Sequence, residues 1–171
     1  AYAAEQRAAA LAKKAKSLQE LLAGLQAEKK RQAENSARKS SGDSNAPKRV
    51  ASVTPRQLRK IGTAHGKLNL PAVGRIVGRY GEKTDAGLAR KGVTISTQNS
   101  AQIVATFDGT VAYAGKFRGY GLLLIIEHGE GYHSLLAGMA RIDVSQGQQL
   151  IAGEPVGIMS DDGDPVLYVE L

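Results

Sequence analysis

The sequence contains no cysteine, which excludes disulfide bridges and metal sites built from thiolates. This fits either a reducing cytosol or a bacterial envelope protein that does without bridges. No apolar run approaches the ~20 residues that a membrane-spanning helix needs. The chain begins with Ala1 rather than Met and shows no charged-then-apolar signal sequence, which leaves its location open.

The net charge of +7 is unevenly distributed along the 171 residues. Residues 1–67 contain 15 Lys and Arg against 5 Asp and Glu, whereas residues 68–171 contain 8 against 11. A basic arm of this kind suits nucleic acid, an anionic membrane surface or an acidic protein, or it is simply a solvated helix and linker. The sequence favours the last interpretation and no nucleic-acid partner, because no aromatic residues are interleaved with the basic ones and no DNA-binding motif is present.

Residues 1–34 predict a helix, because they are rich in alanine and contain no proline and a single glycine. A heptad register places small or leucine side chains along one side. These are Ala1, Ala8, Ala15 and Leu22 at one seam position and Ala4, Leu11, Leu18 and Leu25 at the other. We predict the end of a coiled-coil helix that needs a partner and was longer before residue 1. A solitary solvated helix is the alternative, but it leaves the leucines unexplained.

Residues 35–67 are polar and rich in serine and lysine, which predicts a flexible linker. Within it, TPRQLRKIG predicts a short amphipathic helix that begins at the N-cap Thr54 and stops at Gly62. Leu58 and Ile61 would share one face of this helix. It is either a packing element or a movable regulatory arm, and the sequence does not choose between them.

Residues 68–171 are rich in glycine, and short β-forming runs alternate with turns, which predicts a mainly β domain built as an antiparallel barrel or sandwich. The predicted strands are GRIVGRY, GVTIST, AQIVATF, GTVAYAGKF, LLLIIEHG, YHSLLAG, QQLIAGEPVGIM and PVLYVEL. LLLIIEHG is apolar on both faces, so we expect it to be the central buried strand. In the last strand, Leu167, Val169 and Leu171 are expected to face the core.

The order of these pieces resembles a known family. GRIVGRYG, RKGVTIS, IVATFDGTVAYAG, GYGLLLIIEHGEGYHSLLAGM, IDVSQGQQLIAGEPVGIM and PVLYVEL follow one another as in the LytM (lysostaphin-type) zinc endopeptidase domain, over most of residues 71–171. In active members, zinc is held by His and Asp of an H-x-G-x-D-type stretch and by the second His of an H-x-H stretch. The first His of that pair and a His after the HG turn are catalytic. Three protein ligands leave an open position for an activated water.

None of the corresponding positions in this sequence keeps a suitable side chain. The zinc-ligand positions fall on Arg90, Thr94 and Tyr168, and the catalytic positions fall on Gly138 and Val166. Arg90 would place a fixed cation where a dication binds. The resemblance therefore implies a degenerate domain that is not an enzyme and has no cofactor.

Three histidines are present elsewhere in the chain. His65 lies in the linker, His128 lies in the EHG turn, where the family often has a histidine that is not a ligand, and His133 begins the next strand, from which it could approach the groove. A rescued metal site needs at least two further ligands, and the nearby carboxylates have no evident spacing for one. A residual zinc endopeptidase is therefore kept only as an alternative.

A degenerate LytM domain preceded by a coiled coil and a linker resembles the EnvC-type murein hydrolase activators of Gram-negative bacteria. This resemblance implies a periplasmic protein at the division septum that activates N-acetylmuramoyl-L-alanine amidases through its vacated active-site groove. The coiled coil would dock on the FtsE–FtsX division transporter, and a helical arm, for which TPRQLRKIG is the candidate, would cover the groove. A module that binds peptidoglycan without activating an enzyme is a second alternative.

The expected groove is apolar and aromatic with a rim of cations, which suits a partner helix with an acidic edge. Its predicted lining is Arg90, Lys91, Thr94, Tyr120, Leu123, Leu136 and Tyr168. Each of these also has a plain structural interpretation, such as a turn-bracing tyrosine, a core leucine or a solvated lysine. The family usually continues past the final strand with basic residues and a proline-rich tail, so we expect the natural end beyond Leu171.

Overall fold

The structure, a computed structural model, describes residues 16, 19–28, 30–31, 58–84 and 87–171. The chain divides into two compact units, residues 1–56 and 57–171. In the first unit, residues 19–28 and 30–31 are α-helical, as the sequence predicts. Most of the heptad positions, the linker up to residue 57 and the predicted N-cap Thr54 lie outside the described residues, so the coiled coil and the linker stay predictions. None of the described helical residues forms a helix long and apolar enough to cross a membrane.

The described part of the second unit contains a short 3-10 helix, Ile61–Thr63, followed by ten β-strands. The strands are β1 (Gly74–Gly78), β2 (Val93–Thr97), β3 (Gln102–Val104), β4 (Gly109–Phe117), β5 (Gly121–Gly129), β6 (Tyr132–Met139), β7 (Arg141–Ile142), β8 (Gln149–Leu150), β9 (Pro155–Ile158) and β10 (Val166–Glu170). Seven strands form one sheet in the order β1-β2-β10-β6-β5-β4-β8, and three form a second in the order β3-β9-β7. All the strand pairs are antiparallel, which confirms the predicted fold class of this unit.

The main core contains side chains from both sheets. Ile103 and Val156 come from the small sheet, and Leu124 and Leu167 from the large one, and all four are fully buried. Each such side chain contributes about 1.5–3 kcal/mol of burial free energy to folding. β5 lies between β4 and β6, and its four central residues, 123–126, are fully buried, which confirms the predicted burial on both faces. The middle strand of the large sheet is β6, next to β5.

The strand predicted from QQLIAGEPVGIM is wrong, because the structure divides it into β8 and β9, which belong to different sheets. The turn between them is closed by the Glu154 amide, which donates to the Ile151 carbonyl oxygen at 3.0 Å. Gly153 in this turn has φ +83°, a left-handed conformation that glycine adopts without strain. β7 was not predicted, since two residues carry no periodic pattern.

The closing strand β10 agrees with the predicted alternation except at its end. Leu167 is fully buried, and Val169 is half-buried and packs against the main core. Leu171 was expected in the core but is 56% exposed, because it lies beyond Glu170, where the pairing of β10 with β6 stops.

The helix predicted to end at Gly62 is wrong over its described part. Residues 58–60 are not helical, and Lys60 is extended, with φ −76° and ψ 129°. The backbone amide of Arg59 donates to the Asp108 carboxylate at 3.2 Å instead of to a helical carbonyl group. The one helical turn in this stretch is the 3-10 helix, which begins at Ile61.

Arg59 anchors this stretch to the β-domain. Its guanidinium donates to Asp108 from Nε at 2.9 Å and from Nη2 at 2.7 Å, and it lies 4.9 Å from the centroid of the Phe107 ring. Ile61 is buried against Phe107 in a small apolar cluster. These contacts explain why the compact unit begins at Gln57, well before the boundary predicted from composition.

Asp108 is the centre of this anchor, so its replacement should destabilise the domain. The carboxylate also accepts a bond from the Ala152 amide at 2.9 Å, and Asp108→Ala leaves that amide and Arg59 without their partner. We expect a loss of about 1–3 kcal/mol in the free energy of unfolding, measured by urea titration. Asp143→Ala, which breaks the exposed ion pair with Arg141, is the matched control and should change stability much less.

The same variant predicts a pH dependence. Arg59 hydrogen bonds hold the pKa of the Asp108 carboxyl well below its usual range. A lowered folded-state pKa contributes its full stability above the unfolded pKa of about 4, and this contribution is lost as the pH falls towards the folded pKa. The difference between the native chain and Asp108→Ala should therefore shrink below about pH 4. A stability difference between the native chain and Asp108→Ala that does not change with pH would contradict the stabilising role of the Arg59–Asp108 contact. Equal losses of stability in Asp108→Ala and Asp143→Ala would contradict it as well.

Candidate functional site

Cross-strand pairing places three of the predicted site residues, Thr94, Leu123 and Tyr168, in one row across the large sheet. Tyr168 on β10 pairs with Thr94 on β2 and with Ala137 on β6. Ala137 in turn pairs with Leu123 on β5, and Thr94 pairs with Gly78 on β1. Paired residues in neighbouring strands point to the same face of a sheet. The row therefore defines one face, opposite the face that carries Leu167, and we call it the groove face.

Tyr168 is half-buried on the groove face and is held in place by three neighbours. Its hydroxyl donates to Glu170 Oε2 at 2.7 Å, and its ring centroid lies 6.2 Å from that of Tyr120. A Cβ atom at Gly92 would lie 2.9 Å from the Tyr168 hydroxyl oxygen, so the backbone approaches closely enough to require glycine there. Burial, followed by the Glu170 carboxylate, raises the pKa of Tyr168, and the phenol stays protonated.

Tyr168 is also one end of a cluster of four aromatic rings. The centroids of Tyr113 and Phe117 are 6.2 Å apart, those of Phe117 and Tyr120 are 6.1 Å apart, and those of Tyr120 and Tyr168 are 6.2 Å apart. These separations lie within the range of favourable aromatic pairs. This aromatic cluster contains three of the six tyrosines and one of the two phenylalanines of the sequence, so aromatic surface is concentrated between β4 and β10.

Arg90 brings a positive charge to the row of paired residues that contains Thr94 and Tyr168. It lies on the hairpin between β1 and β2, where the Gly81 amide donates to the Arg90 carbonyl at 2.8 Å. A Cβ atom at Gly78 would lie 3.1 Å from the guanidinium, so this group covers the end of the row. Arg90 Nε is 3.8 Å from Glu82 Oε2, an ion pair too long to be a hydrogen bond. Its charge also acts on Tyr168, whose pKa it lowers against the larger effect of burial.

Gly138, which occupies a catalytic histidine position in the resemblance, cannot accept a side chain without movement of the backbone. A Cβ atom there would lie 2.4 Å from the Val166 carbonyl oxygen, and φ is +101°. The residue lies where the pairing of β5 and β6 shifts register, between the pairs of Ala137 and Met139. The bulge closes this position to a histidine.

The structure brings some of the predicted groove residues together and separates others. Arg90, Thr94, Tyr120 and Tyr168 come together as described above. Lys91 is exposed beside them, and Val166 lies on the same face with 42% of its surface exposed. Leu123 is on this face but fully buried, and Leu136 pairs with Val169 on the opposite face and belongs to the main core. The assignment of Leu136 to the groove is therefore wrong.

The histidines lie away from this row. His65 is exposed, and His128 is buried, with Nδ1 2.8 Å from the Asp108 carbonyl oxygen and Nε2 2.6 Å from Ser134 Oγ. Since a carbonyl can only accept, Nδ1 carries the proton, and burial lowers the pKa of His128. His133 is on the groove face but about 13 Å along β6 from Ala137, at ~3.3 Å per residue.

Residues 89–171 match the model of Peptidase family M23. The chain carries an M23 domain of the LytM type. It is 34% identical over 114 residues to "Murein hydrolase activator EnvC" of Escherichia coli, covering 65% of this chain and 27% of that protein. It is 35% identical over 94 residues to "Murein hydrolase activator NlpD" of Salmonella dublin, covering 54% of this chain and 24% of that protein. The chain thus spans well under half the length of these relatives.

Among solved structures, the M23 domain is similar to the catalytic domain of the prophage-encoded M23 protein EnpA from Enterococcus faecalis, solved as a mutant. The TM-score is 0.53 with 20% identity, over 60% of this chain and 82% of that one. This likeness establishes the fold alone. It agrees with the two-sheet architecture described above.

Zinc does not fit the residues at the positions that the family resemblance predicts as ligands. Arg90 has no lone pair to give and carries a positive charge, and the phenol of Tyr168 is protonated and bonded to Glu170. Within the ranges that the structure describes, no group of three or more His, Cys, Asp or Glu is placed to hold a metal ion. Glu170 was missed as a groove residue, although its spacing of two from Tyr168 signals a shared face.

From the geometry of this row, we predict that zinc binding can be introduced by changing side chains alone. Thr94 and Tyr168 are directly opposite each other, with Cβ atoms about 5 Å apart, and the Arg90 side chain reaches the same row. The triple variant Arg90→His, Thr94→Asp, Tyr168→His should therefore bind about one zinc ion, measured by titration calorimetry and metal analysis.

The control for this experiment is Thr94→Asp alone, which supplies one ligand and should bind no zinc above the native level. If the triple variant keeps its fold, judged by circular dichroism, and still binds no zinc, then these three positions do not converge and the alignment of the site is wrong.

Proposed function

We propose that this protein is a non-catalytic activator of periplasmic N-acetylmuramoyl-L-alanine amidases that split peptidoglycan during cell division. The observation that carries the proposal is the protonated, hydrogen-bonded Tyr168 phenol beside Arg90, at positions where the family resemblance predicts zinc ligands. The names of the relatives EnvC and NlpD, both murein hydrolase activators, support it.

The chemistry of the groove face suits a helix of the partner amidase. The rings of Tyr120 and Tyr168 offer apolar surface, and Arg90 offers a charge for an acidic side chain at the edge of that helix. Glu170 fixes the Tyr168 hydroxyl, so the ring is already in position before a partner arrives. A rigid tyrosine costs little conformational entropy on binding. Lys91, exposed next to Gly92, extends the positive rim.

The remaining partners are proposed from the resemblance. The segment of residues 1–34, predicted to be helical, would dock on the FtsE–FtsX transporter, and we propose that the protein acts in the periplasm at the septum. Peptidoglycan itself is proposed as a further ligand of the domain. A similar protein of Caulobacter vibrioides, 27% identical over 121 residues, is named "Cell division protein DipM", which fits this setting.

Two other functions are separated by direct assays. A residual zinc endopeptidase would contain zinc after purification and would release dye from labelled peptidoglycan without an amidase. A passive peptidoglycan-binding module would sediment with purified sacculi but would leave the rate of a purified amidase unchanged. Stimulation of the amidase with neither zinc nor intrinsic lysis supports the proposal.

Tyr168→Ala should weaken activation. Removal of a hot-spot aromatic side chain from the centre of an interface costs about 2 kcal/mol or more, so the concentration for half-maximal stimulation should rise about 30-fold or more. The measurement is dye release from labelled sacculi by a purified amidase, titrated with each variant. Tyr132→Ala is the matched control, because Tyr132 is an exposed tyrosine at the β5–β6 turn, away from the row.

Both variants should keep the native melting temperature within a few degrees, because neither side chain is in the main core. Equal stimulation by the native chain and a folded Tyr168→Ala variant would show that the groove does not bind the amidase.

We also propose that the segment before the domain restrains activation. A deletion made at the unit boundary, residues 1–56, keeps Arg59 and its contacts and should stimulate the amidase more than the full chain does. The deletion of residues 1–67, which the sequence alone suggests, would also remove Ile61 from its cluster and destabilise the domain. The two deletions are compared in the same activation assay and by thermal melting. The comparison distinguishes loss of restraint, which raises activation, from loss of folding stability, which lowers the melting temperature. No gain from the 1–56 deletion would contradict the restraint.

A further inference from the structure

The large sheet ends in two very different edges. β8 at one edge has two residues, Gln149–Leu150, and offers little backbone for pairing. β1 at the other edge has five, Gly74–Gly78, and β2 is the strand hydrogen-bonded to it in the part of the chain that the structure describes. An open edge strand presents unpaired amide and carbonyl groups to any extended peptide.

The side chains at the β1 edge are apolar and exposed. Ile76 and Val77 are 43% and 45% exposed, and Val73, just before the strand, is 85% exposed. Scattered apolar residues on a surface are ordinary, but these three lie within residues 73–77, along an edge that pairs on one side only in the part of the chain that the structure describes. Val77 is the extra residue of a bulge in the pairing of β1 with β2, so regular pairing extends over residues 74–76.

The two faces of this edge differ in chemistry. Arg75 pairs with Ser96, which pairs with Val166, so Arg75 belongs to the groove face. Ile76 pairs with Ile95, which pairs with Leu167, so Ile76 belongs to the core face. A strand added next to β1 would therefore set an acidic side chain opposite Arg75 and an apolar one opposite Ile76.

We infer that the β1 edge, residues 73–77, binds an extended acidic segment of a partner protein in which acidic and apolar residues alternate. Main-chain pairing supplies affinity, and the alternation of Arg75 and Ile76 supplies the preference for sequence. This surface is distinct from the row around Tyr168, and the inference does not depend on the amidase proposal.

A second copy of this chain fits the edge less well. Antiparallel pairing of two β1 strands would bring two Arg75 side chains opposite or diagonal to each other on one face, and like charges there are destabilising. Arg79 follows directly after the strand and adds to this repulsion.

The test uses the full chain, labelled with ¹⁵N, and the peptide acetyl-Glu-Val-Glu-Val-Glu-Val-amide. Amide shifts and slowed hydrogen exchange at residues 73–77 are expected on titration, with weaker effects from the Lys-Val analogue. Arg75→Glu should weaken binding of the acidic peptide at least tenfold and improve binding of the Lys-Val peptide. Arg118→Glu reverses an equally exposed charge on the β4–β5 turn and is expected to leave both affinities within about twofold.

Several results would overturn the inference. These are shifts confined to the Tyr168 row, the absence of any shift at residues 73–77 up to the solubility limit of the peptide, and equal losses in the Arg75→Glu and Arg118→Glu variants. Concentration-dependent dimerisation that protects residues 73–77 in the absence of peptide would likewise replace the acidic partner by a second copy.

Discussion

The insertion of β10 between β2 and β6 is the constraint on which the candidate site depends. β10 is the final strand, yet its two neighbours come from the beginning and the middle of the domain. Side chains alternate along a strand, so a shift of one residue would turn Tyr168 and Glu170 into the core and Leu167 out of it. The full burial of Leu167 therefore fixes the register, and the geometry of the groove face follows from packing on the other side of the sheet.

Two glycines then shape the groove face because they have no side chain. At Gly92 the missing side chain lets the backbone lie against the Tyr168 phenol, and at Gly138 the bulge leaves no space for any side chain. The first glycine makes room for the large Tyr168 ring on the groove face. The second leaves a position that no side chain can occupy without movement of the backbone.

Much of this arrangement is predictable from local pattern, and the exceptions have physical causes. The alternation in VLYVE places Tyr168 correctly, and the apolar run of β5 marks an interior strand. Leu136 was misassigned because a motif gives positions in a chain but not the side of the sheet, and the bulge at Gly138 changes the phase. The Arg59–Asp108 anchor has no local signal, since it joins a polar segment to a loop far along the chain. The groove as a docking surface stays a prediction.

The chemistry of the row explains why a macromolecular partner suits it better than an ion. A zinc site needs several lone pairs that converge on one point. Here Tyr168 points its proton at Glu170, and Arg90 supplies donors and a charge of the wrong sign. The Tyr168 ring is held by its bond to Glu170, and the Arg90 guanidinium lies beside the Gly78 backbone at the end of the row. Affinity for a helix depends on such preorganised aromatic and cationic groups, because less conformational entropy is lost when the complex forms.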